Sequence, residues 1–72
     1  MSITDTITQI VKIYAPVGIK QIFPYVRQMK FNGKNASESE ITKVADDLSY
    51  DDQCPLRKIW NGKLFVYEMR NQ

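Results

Sequence analysis

The C-terminal third of the chain alternates cationic and aromatic side chains, a pattern typical of surfaces that bind nucleic acid. Lys58 and Lys63 are interleaved with Trp60, Phe65 and Tyr67. Lysine ammonium groups attract phosphates, and aromatic rings can stack on bases or on the side chains of a protein partner. The buried face of a small sheet would show the same alternation. The pattern therefore indicates either a binding surface or a core face, and both interpretations leave basic groups on this segment.

A second group of chemically active side chains is the acidic stretch of residues 36–53, which holds six carboxylates and one lysine. A calcium loop needs a glycine at its bend and a glutamate at its end, and the run Asp46–Asp52 has neither. We therefore expect no metal and no cofactor. The carboxylates can instead imitate nucleic-acid charge toward a basic protein partner, or form a solvated helix face. The candidates for contact with a protein partner are Glu40, Asp46, Asp47, Asp51, Trp60, Phe65 and Tyr67.

Groups that could carry out catalysis are few. The chain contains no histidine, and its single cysteine, Cys54, has no partner that could act as a general base. The same two facts exclude an internal disulfide and the usual structural zinc sites. The glycines Gly18, Gly33 and Gly62 are too widely spaced to form a phosphate-binding loop. We predict no catalytic residues and no enzymatic activity.

Length and composition indicate one domain over residues 1–72, because 43% of the residues are hydrophobic and 25% are charged. A chain this short buries only about 60% of the surface that it exposes when unfolded, so a partner or a second copy would add burial. No segment approaches the roughly 18 apolar residues of a membrane span, and no basic targeting run is present. We expect a soluble, cytoplasmic protein with no membrane partner.

The formal net charge of +2 conceals three blocks of alternating sign. Residues 1–35 have five basic residues and one acidic residue, a net charge of +4. Residues 36–53 have a net charge of −5, and residues 54–72 have a net charge of +3. Segregation of this kind can produce fields of opposite sign that steer charged partners, or it can simply reflect three elements that each have a solvated face.

The first half of the chain contains two segments with the apolar spacing of amphipathic helices. The first covers about residues 3–14. The second starts at Ile19 and runs to Lys30, and Gly33 is placed to terminate it. Pro24 lies inside the second segment and lacks a backbone N–H, so we expect a separate tight first turn or a kink there.

The second half predicts a third helix and a β-hairpin. Ser37 and Glu40 form a capping box, and the helical apolar spacing that follows ends at Leu48. Residues 56–60 and 63–69 flank the dipeptide Asn61-Gly62, which is typical of a two-residue type I′ turn. The predicted turn pairs Trp60 with Lys63, Ile59 with Leu64, Lys58 with Phe65, Arg57 with Val66 and Leu56 with Tyr67.

This α+β order of three short helices and a C-terminal β-hairpin resembles the winged-helix variant of the helix-turn-helix fold. The resemblance extends over nearly the whole chain: residues 18–22 open a second helix, Ser37 caps a third, and residues 56–67 form the wing. It implies DNA binding and transcription regulation, with the third helix in the major groove and the wing near the backbone or minor groove. The sequence departs from that pattern in its third helix, because phosphates would repel its carboxylates.

The residue pattern is compatible with two functions. The first is a small regulatory protein that contacts duplex DNA through the basic hairpin and the second helix, as a homodimer because so small a surface binds weakly alone. The second is a protein-binding adaptor or inhibitor that uses the acidic third helix or the aromatic hairpin and binds no DNA. The DNA-contacting residues predicted under the first are Lys20, Arg27, Lys30, Lys34, Arg57, Lys58, Trp60 and Lys63.

Overall fold

The computed structural model describes residues 2–70. In this part of the chain each helix is followed by one or two short strands. These residues form three helices, followed by an antiparallel strand pair at the C-terminal end. The prediction of an α+β class is therefore confirmed. The elements in chain order are α1 (Ile3–Tyr14), β1 (Val17–Gly18), α2 (Ile19–Arg27), β2 (Lys30–Phe31), β3 (Lys34–Asn35), α3 (Glu38–Leu48), β4 (Leu56–Trp60) and β5 (Phe65–Met69).

Helix α1 has the bounds that its apolar spacing predicts. Its first turn is capped by Ser2, whose side-chain oxygen accepts a hydrogen bond from the Asp5 N–H at 3.1 Å. Ile7 and Val11, which are one helical turn apart, are completely buried. Because α1 is rich in β-branched residues, its helicity depends on this packing rather than on intrinsic propensity.

Helix α2 ends at Arg27, three residues earlier than predicted, because the following residues form a small hairpin. In the hairpin turn, both Asn32 and Gly33 have positive φ, at 56° and 81°. That is the backbone requirement of a type I′ turn, for which Asn-Gly is the favoured dipeptide. The Asn35 side-chain amide then donates to the carbonyls of Arg27 and Met29, at 2.8 and 3.2 Å, and so caps the helix end.

The start of α2 also differs from the expectation of a separate first turn, since the helix runs continuously through Pro24. The Gln21 side chain accepts a hydrogen bond from the Gly18 N–H at 2.9 Å and closes the first turn. Pro24 cannot donate to the carbonyl of Lys20, four residues earlier. The missing bond lies on the exposed side of the helix, where water can hydrogen-bond that carbonyl.

Helix α3 begins at the predicted cap. The Ser37 hydroxyl oxygen accepts a hydrogen bond from the Glu40 N–H at 3.2 Å, and the buried face of the helix presents Ile41 and Ala45, both completely inaccessible to solvent. The prediction of this helix is therefore confirmed.

Loss of that cap should be measurable. We expect Ser37→Ala to lower the free energy of unfolding by about 1 kcal/mol, because one N–H at the start of α3 loses its acceptor. Ser39→Ala is the matched control, since Ser39 is exposed in the same turn and accepts no backbone hydrogen bond from the residues described. Urea denaturation of both variants checks the expectation, and equal losses would contradict it.

The three-stranded sheet places β5 between β1 and β4, with both pairings antiparallel. Strand β1 is only two residues long and was not predicted. The hairpin of β4 and β5 is present as predicted, but the predicted pairing register is wrong by two residues. The observed pairs are Leu56 with Met69, Arg57 with Glu68, Lys58 with Tyr67, Ile59 with Val66 and Trp60 with Phe65.

The register differs because the turn is centred on Gly62 and Lys63 rather than on Asn61 and Gly62. The Asn61 N–H donates to the Leu64 carbonyl at 3.1 Å, and the Asn61 side-chain oxygen accepts from the N–H groups of Lys63 and Leu64, both at 2.9 Å. Gly62 has φ at 100°, and Asn61 has no positive φ. A shift of two residues leaves each side chain on its predicted face of the hairpin.

The core lies between the three helices and one end of this hairpin face. Each helix and strands β4 and β5 contribute side chains to it. Leu56, the first residue of β4, and Tyr67, in β5, are as buried as the helical core residues. The opposite end of the same face is exposed. The largest fully buried side chains are Ile7, Ile22, Ile41, Leu56, Val11 and Val26.

Candidate functional site

An open groove of about 520 Å³ separates the first turn of α2 from α3 and from the exposed end of the β4–β5 hairpin. Gly18 at the start of α2 permits a close approach here, because a Cβ at this position would lie 3.0 Å from a methyl carbon of Leu64. We call this feature the hairpin groove. Its lining includes Ile19, Lys20, Asp46, Lys58, Lys63 and Phe65.

Three lysines from two distant parts of the sequence line the hairpin groove. Lys20 comes from the first turn of α2, and Lys58 and Lys63 come from the hairpin. Within residues 2–70, neither Lys20 nor Lys63 forms an ion pair. Asp46 is the single carboxylate among the described lining residues, so the groove has a net positive charge.

Asp46 connects α3 to the hairpin. One of its carboxylate oxygens accepts hydrogen bonds from the Lys58 ammonium at 3.2 Å and from the Tyr67 hydroxyl at 3.1 Å. Burial raises the pKa of Tyr67 well above its ordinary value, and the negative charge and hydrogen bonding of Asp46 raise it further. This acidic residue therefore positions a lysine of the groove and stabilises the contact between α3 and the sheet.

Three large apolar side chains at the free end of the hairpin remain exposed. The exposed fractions of Trp60, Leu64 and Phe65 are 57%, 48% and 49%. The rings of Trp60 and Phe65 meet edge to face with centroids 5.1 Å apart, and the Lys58 ammonium lies 4.9 Å from the centroid of the Phe65 ring. We call Trp60, Leu64 and Phe65 the aromatic edge. It adjoins the basic groove on the same end of the hairpin.

The other predicted DNA-contacting residues lie elsewhere. Arg27 pairs with Glu38 at 2.9 Å, between α2 and α3. Arg57 pairs with Glu68 at 2.9 Å on the opposite face of the hairpin. The remaining two, Lys30 and Lys34, belong to the small β2–β3 hairpin and do not line the groove. The predicted set of basic residues is therefore divided among separate places on the surface.

The acidic residues proposed for contact with a protein partner are largely engaged within the chain. Asp46 is bound as described, and Asp47 pairs with Lys43 at 3.2 Å. Asp51 accepts a hydrogen bond from the Gln53 N–H at 2.9 Å. Glu40 is exposed, whereas the Tyr67 ring is buried and offers no surface to a partner. These contacts leave the Asp46 and Asp47 side chains 47% and 65% exposed, so both carboxylates remain accessible to a partner.

Arg70 organises the loop before β4, a role that no sequence pattern predicts. Its guanidinium donates to the carbonyl oxygens of Cys54, Asp51 and Leu56 at 3.0, 3.0 and 3.2 Å. The loop thus acquires hydrogen-bond partners from the residue that follows β5. Binding of these three carbonyls is a structural role, because it leaves few guanidinium donors for an external ligand.

A second exposed apolar patch, also missed by sequence reasoning, lies where α1 meets α2. The rings of Tyr14 and Tyr25 stack with centroids 5.3 Å apart and planes at 19°. Ile13 beside them is 68% exposed. The helical spacing of α1 places Tyr14 on the apolar stripe, but the stripe extends beyond the core at this end of the helix.

No protein-family model, no curated protein and no solved structure matches the chain. Across residues 2–70, no three metal-ligating side chains are arranged to hold an ion. No helix in the described part of the chain has the length and apolar character needed to cross a membrane.

Proposed function

We propose that the protein is a small cytoplasmic DNA-binding regulatory protein that contacts duplex DNA through the β4–β5 hairpin and the first turn of α2. The observation that carries this proposal is the convergence of Lys20, Lys58 and Lys63 on one groove. These lysines are distant in sequence, so their proximity depends on the tertiary fold. A groove with three cations and one carboxylate suits a phosphate backbone, which is the sequence-independent part of DNA recognition.

The pairing of Lys58 with Asp46 is compatible with this role. The side chains of Lys58 and Asp46 are 35% and 47% exposed, and ion pairs at exposed positions contribute only about 0–1 kcal/mol to stability. A phosphate can therefore replace Asp46 as the partner of Lys58 at little cost. Three lysines supply few phosphate contacts, so two copies on adjacent half-sites would strengthen binding.

The order of elements supports the resemblance to winged-helix proteins, with a departure in the use of α3. The exposed carboxylates at the start of α3, Glu38 and Glu40, would lie against phosphates if this helix entered the major groove. Under this proposal α2 and the hairpin contact the DNA, and α3 lines one side of the groove and holds them through the Lys58–Asp46 and Arg27–Glu38 pairs.

The test is the salt dependence of binding to random duplex DNA. Lys20→Ala, Lys58→Ala and Lys63→Ala together should weaken binding and reduce the slope of log affinity against log salt by about 0.9 for each lost contact, measured between about 50 and 200 mM salt. The matched control is Lys30→Ala with Lys34→Ala, which removes two exposed cations outside the groove. Fluorescence anisotropy gives the slopes, and circular dichroism establishes that the variants fold.

Two results would contradict the proposal. One is the absence of DNA binding by the unaltered protein at low salt and micromolar concentration. The other is a loss of slope per removed lysine that is the same in the triple and control variants, which would mean that only the overall charge matters.

A protein-binding adaptor or inhibitor is the second candidate function, and the aromatic edge is the observation that favours it. Exposed tryptophan and phenylalanine side chains are common anchors of protein interfaces. The two candidates differ in their dependence on salt and on lysine. An adaptor would bind no DNA at low salt, and Trp60→Ala, rather than the lysine substitutions, would abolish its interaction with a partner.

A further inference from the structure

The aromatic edge has no evident role in a phosphate-binding groove. Lysine ammonium groups suffice for contact with a duplex backbone, whereas Trp60, Leu64 and Phe65 keep about half of their surface in water. Exposure of three adjacent large apolar side chains is unfavourable unless a ligand covers them. Leu64 and Phe65 line the groove together with Lys58 and Lys63, so a ligand held by these lysines lies next to the edge.

We propose that the aromatic edge stacks on unpaired bases, so that the preferred ligand is DNA with a single-stranded or locally unpaired segment. This inference rests on the proposed DNA binding and specifies its substrate. Every base has a π-face, so an exposed ring beside cations binds a single strand with little regard to sequence. In a regular duplex, the base faces are covered by their neighbours, and the edge would have nothing to stack on.

The ring geometry suits this use. Trp60 and Phe65 meet edge to face, with their planes at 63°, so the edge of one ring contacts at most one face of the other. The Lys58 ammonium lies over the Phe65 ring, whereas the Trp60 side chain is 57% exposed. Trp60 is therefore the ring that is more open to a stacking base.

Charge complementarity identifies the same ligand. The Lys58 ammonium lies 4.9 Å from the centroid of the Phe65 ring, and Lys63 lies in the turn beside Leu64. A base stacked on the edge would bring its own phosphate within reach of these cations. An uncharged apolar ligand would use the rings but not the lysines, and a duplex would use the lysines but not the rings. A single strand uses both.

Trp60 is the only tryptophan, so its fluorescence reports directly on stacking. The experiment titrates the unaltered protein at low salt with oligothymidine, with a matched duplex, and with the duplex containing an unpaired loop. We expect fluorescence quenching and tighter binding with the two ligands that have unpaired bases. Trp60→Ala should weaken binding of oligothymidine by about 5- to 150-fold, and Trp60→Phe should retain most of the affinity.

Tyr50→Ala is the matched control, because Tyr50 is 82% exposed and lies outside the groove and the edge. Its affinity for oligothymidine should equal that of the unaltered protein. If oligothymidine causes no quenching while duplex binding persists, the inference is wrong and the proposed function stands. If Trp60→Ala weakens duplex and single-strand binding equally, the preference for unpaired bases is wrong. If no form of DNA binds, both proposals fail together.

Discussion

Leu56→Ala is expected to lower the free energy of unfolding by about 2–5 kcal/mol. Leu56 is the first residue of β4, is completely buried, and packs in the core shared by the helices and the sheet. Truncation removes apolar surface from that core and leaves a cavity that neighbouring side chains fill only in part. A domain of this size has a total stability of roughly 4–10 kcal/mol, so the loss is a large fraction of it.

The control for this prediction is Leu64→Ala, which makes the same chemical change at a leucine that is 48% exposed. Its effect should be well below that of Leu56→Ala, because about half of the Leu64 side chain is already in contact with water. Urea denaturation followed by the fluorescence of Trp60 measures both variants. Equal losses in the two variants would show that Leu56 is not in the core.

Tyr67→Phe is expected to cost about 2 kcal/mol of stability at neutral pH, and the cost should shrink in alkaline solution. The Tyr67 hydroxyl donates to the Asp46 carboxylate at 3.1 Å, and a hydrogen bond to a charged acceptor is stronger than one between neutral groups. The variant removes the hydroxyl but preserves the ring, so core packing is retained.

The direction of the pH dependence follows from the pKa of Tyr67, which burial and the nearby Asp46 carboxylate raise above its ordinary value. The native state therefore retains the phenolic proton more strongly than the unfolded state does. The stabilisation is fully present below the ordinary tyrosine pKa of about 10 and is lost as pH rises from there through the native-state pKa.

The measurement compares the unfolding free energies of the unaltered protein and Tyr67→Phe from pH 8 upward. Their difference isolates Tyr67, because the other titrating groups are common to both proteins. A difference that stays constant or widens above about pH 10 would contradict the raised pKa.

Much of the fold follows from local patterns. The bounds of α1 and the cap of α3 depend on residues within a few positions of one another, and both were predictable. The hairpin turns are harder to predict from the sequence, because the chain contains the dipeptide Asn-Gly twice. Asn32-Gly33 adopts the left-handed conformation typical of a type I′ turn, whereas at Asn61-Gly62 only the glycine has positive φ. Local sequence does not distinguish the two sites, since flanking strand pairs decide which turn forms.

At the candidate site, the side chains that are available follow from the sequence alone: the lysines and aromatic residues of the hairpin, the basic α2 and the acidic α3. Which of them act together depends on the fold. Lys20 reaches the groove of Lys58 and Lys63, and Asp46 is bound by Lys58 and Tyr67 from another element. Electrostatic and hydrogen-bond partners interact according to their distance in space, and here the partners are separated by a dozen to several dozen residues of chain.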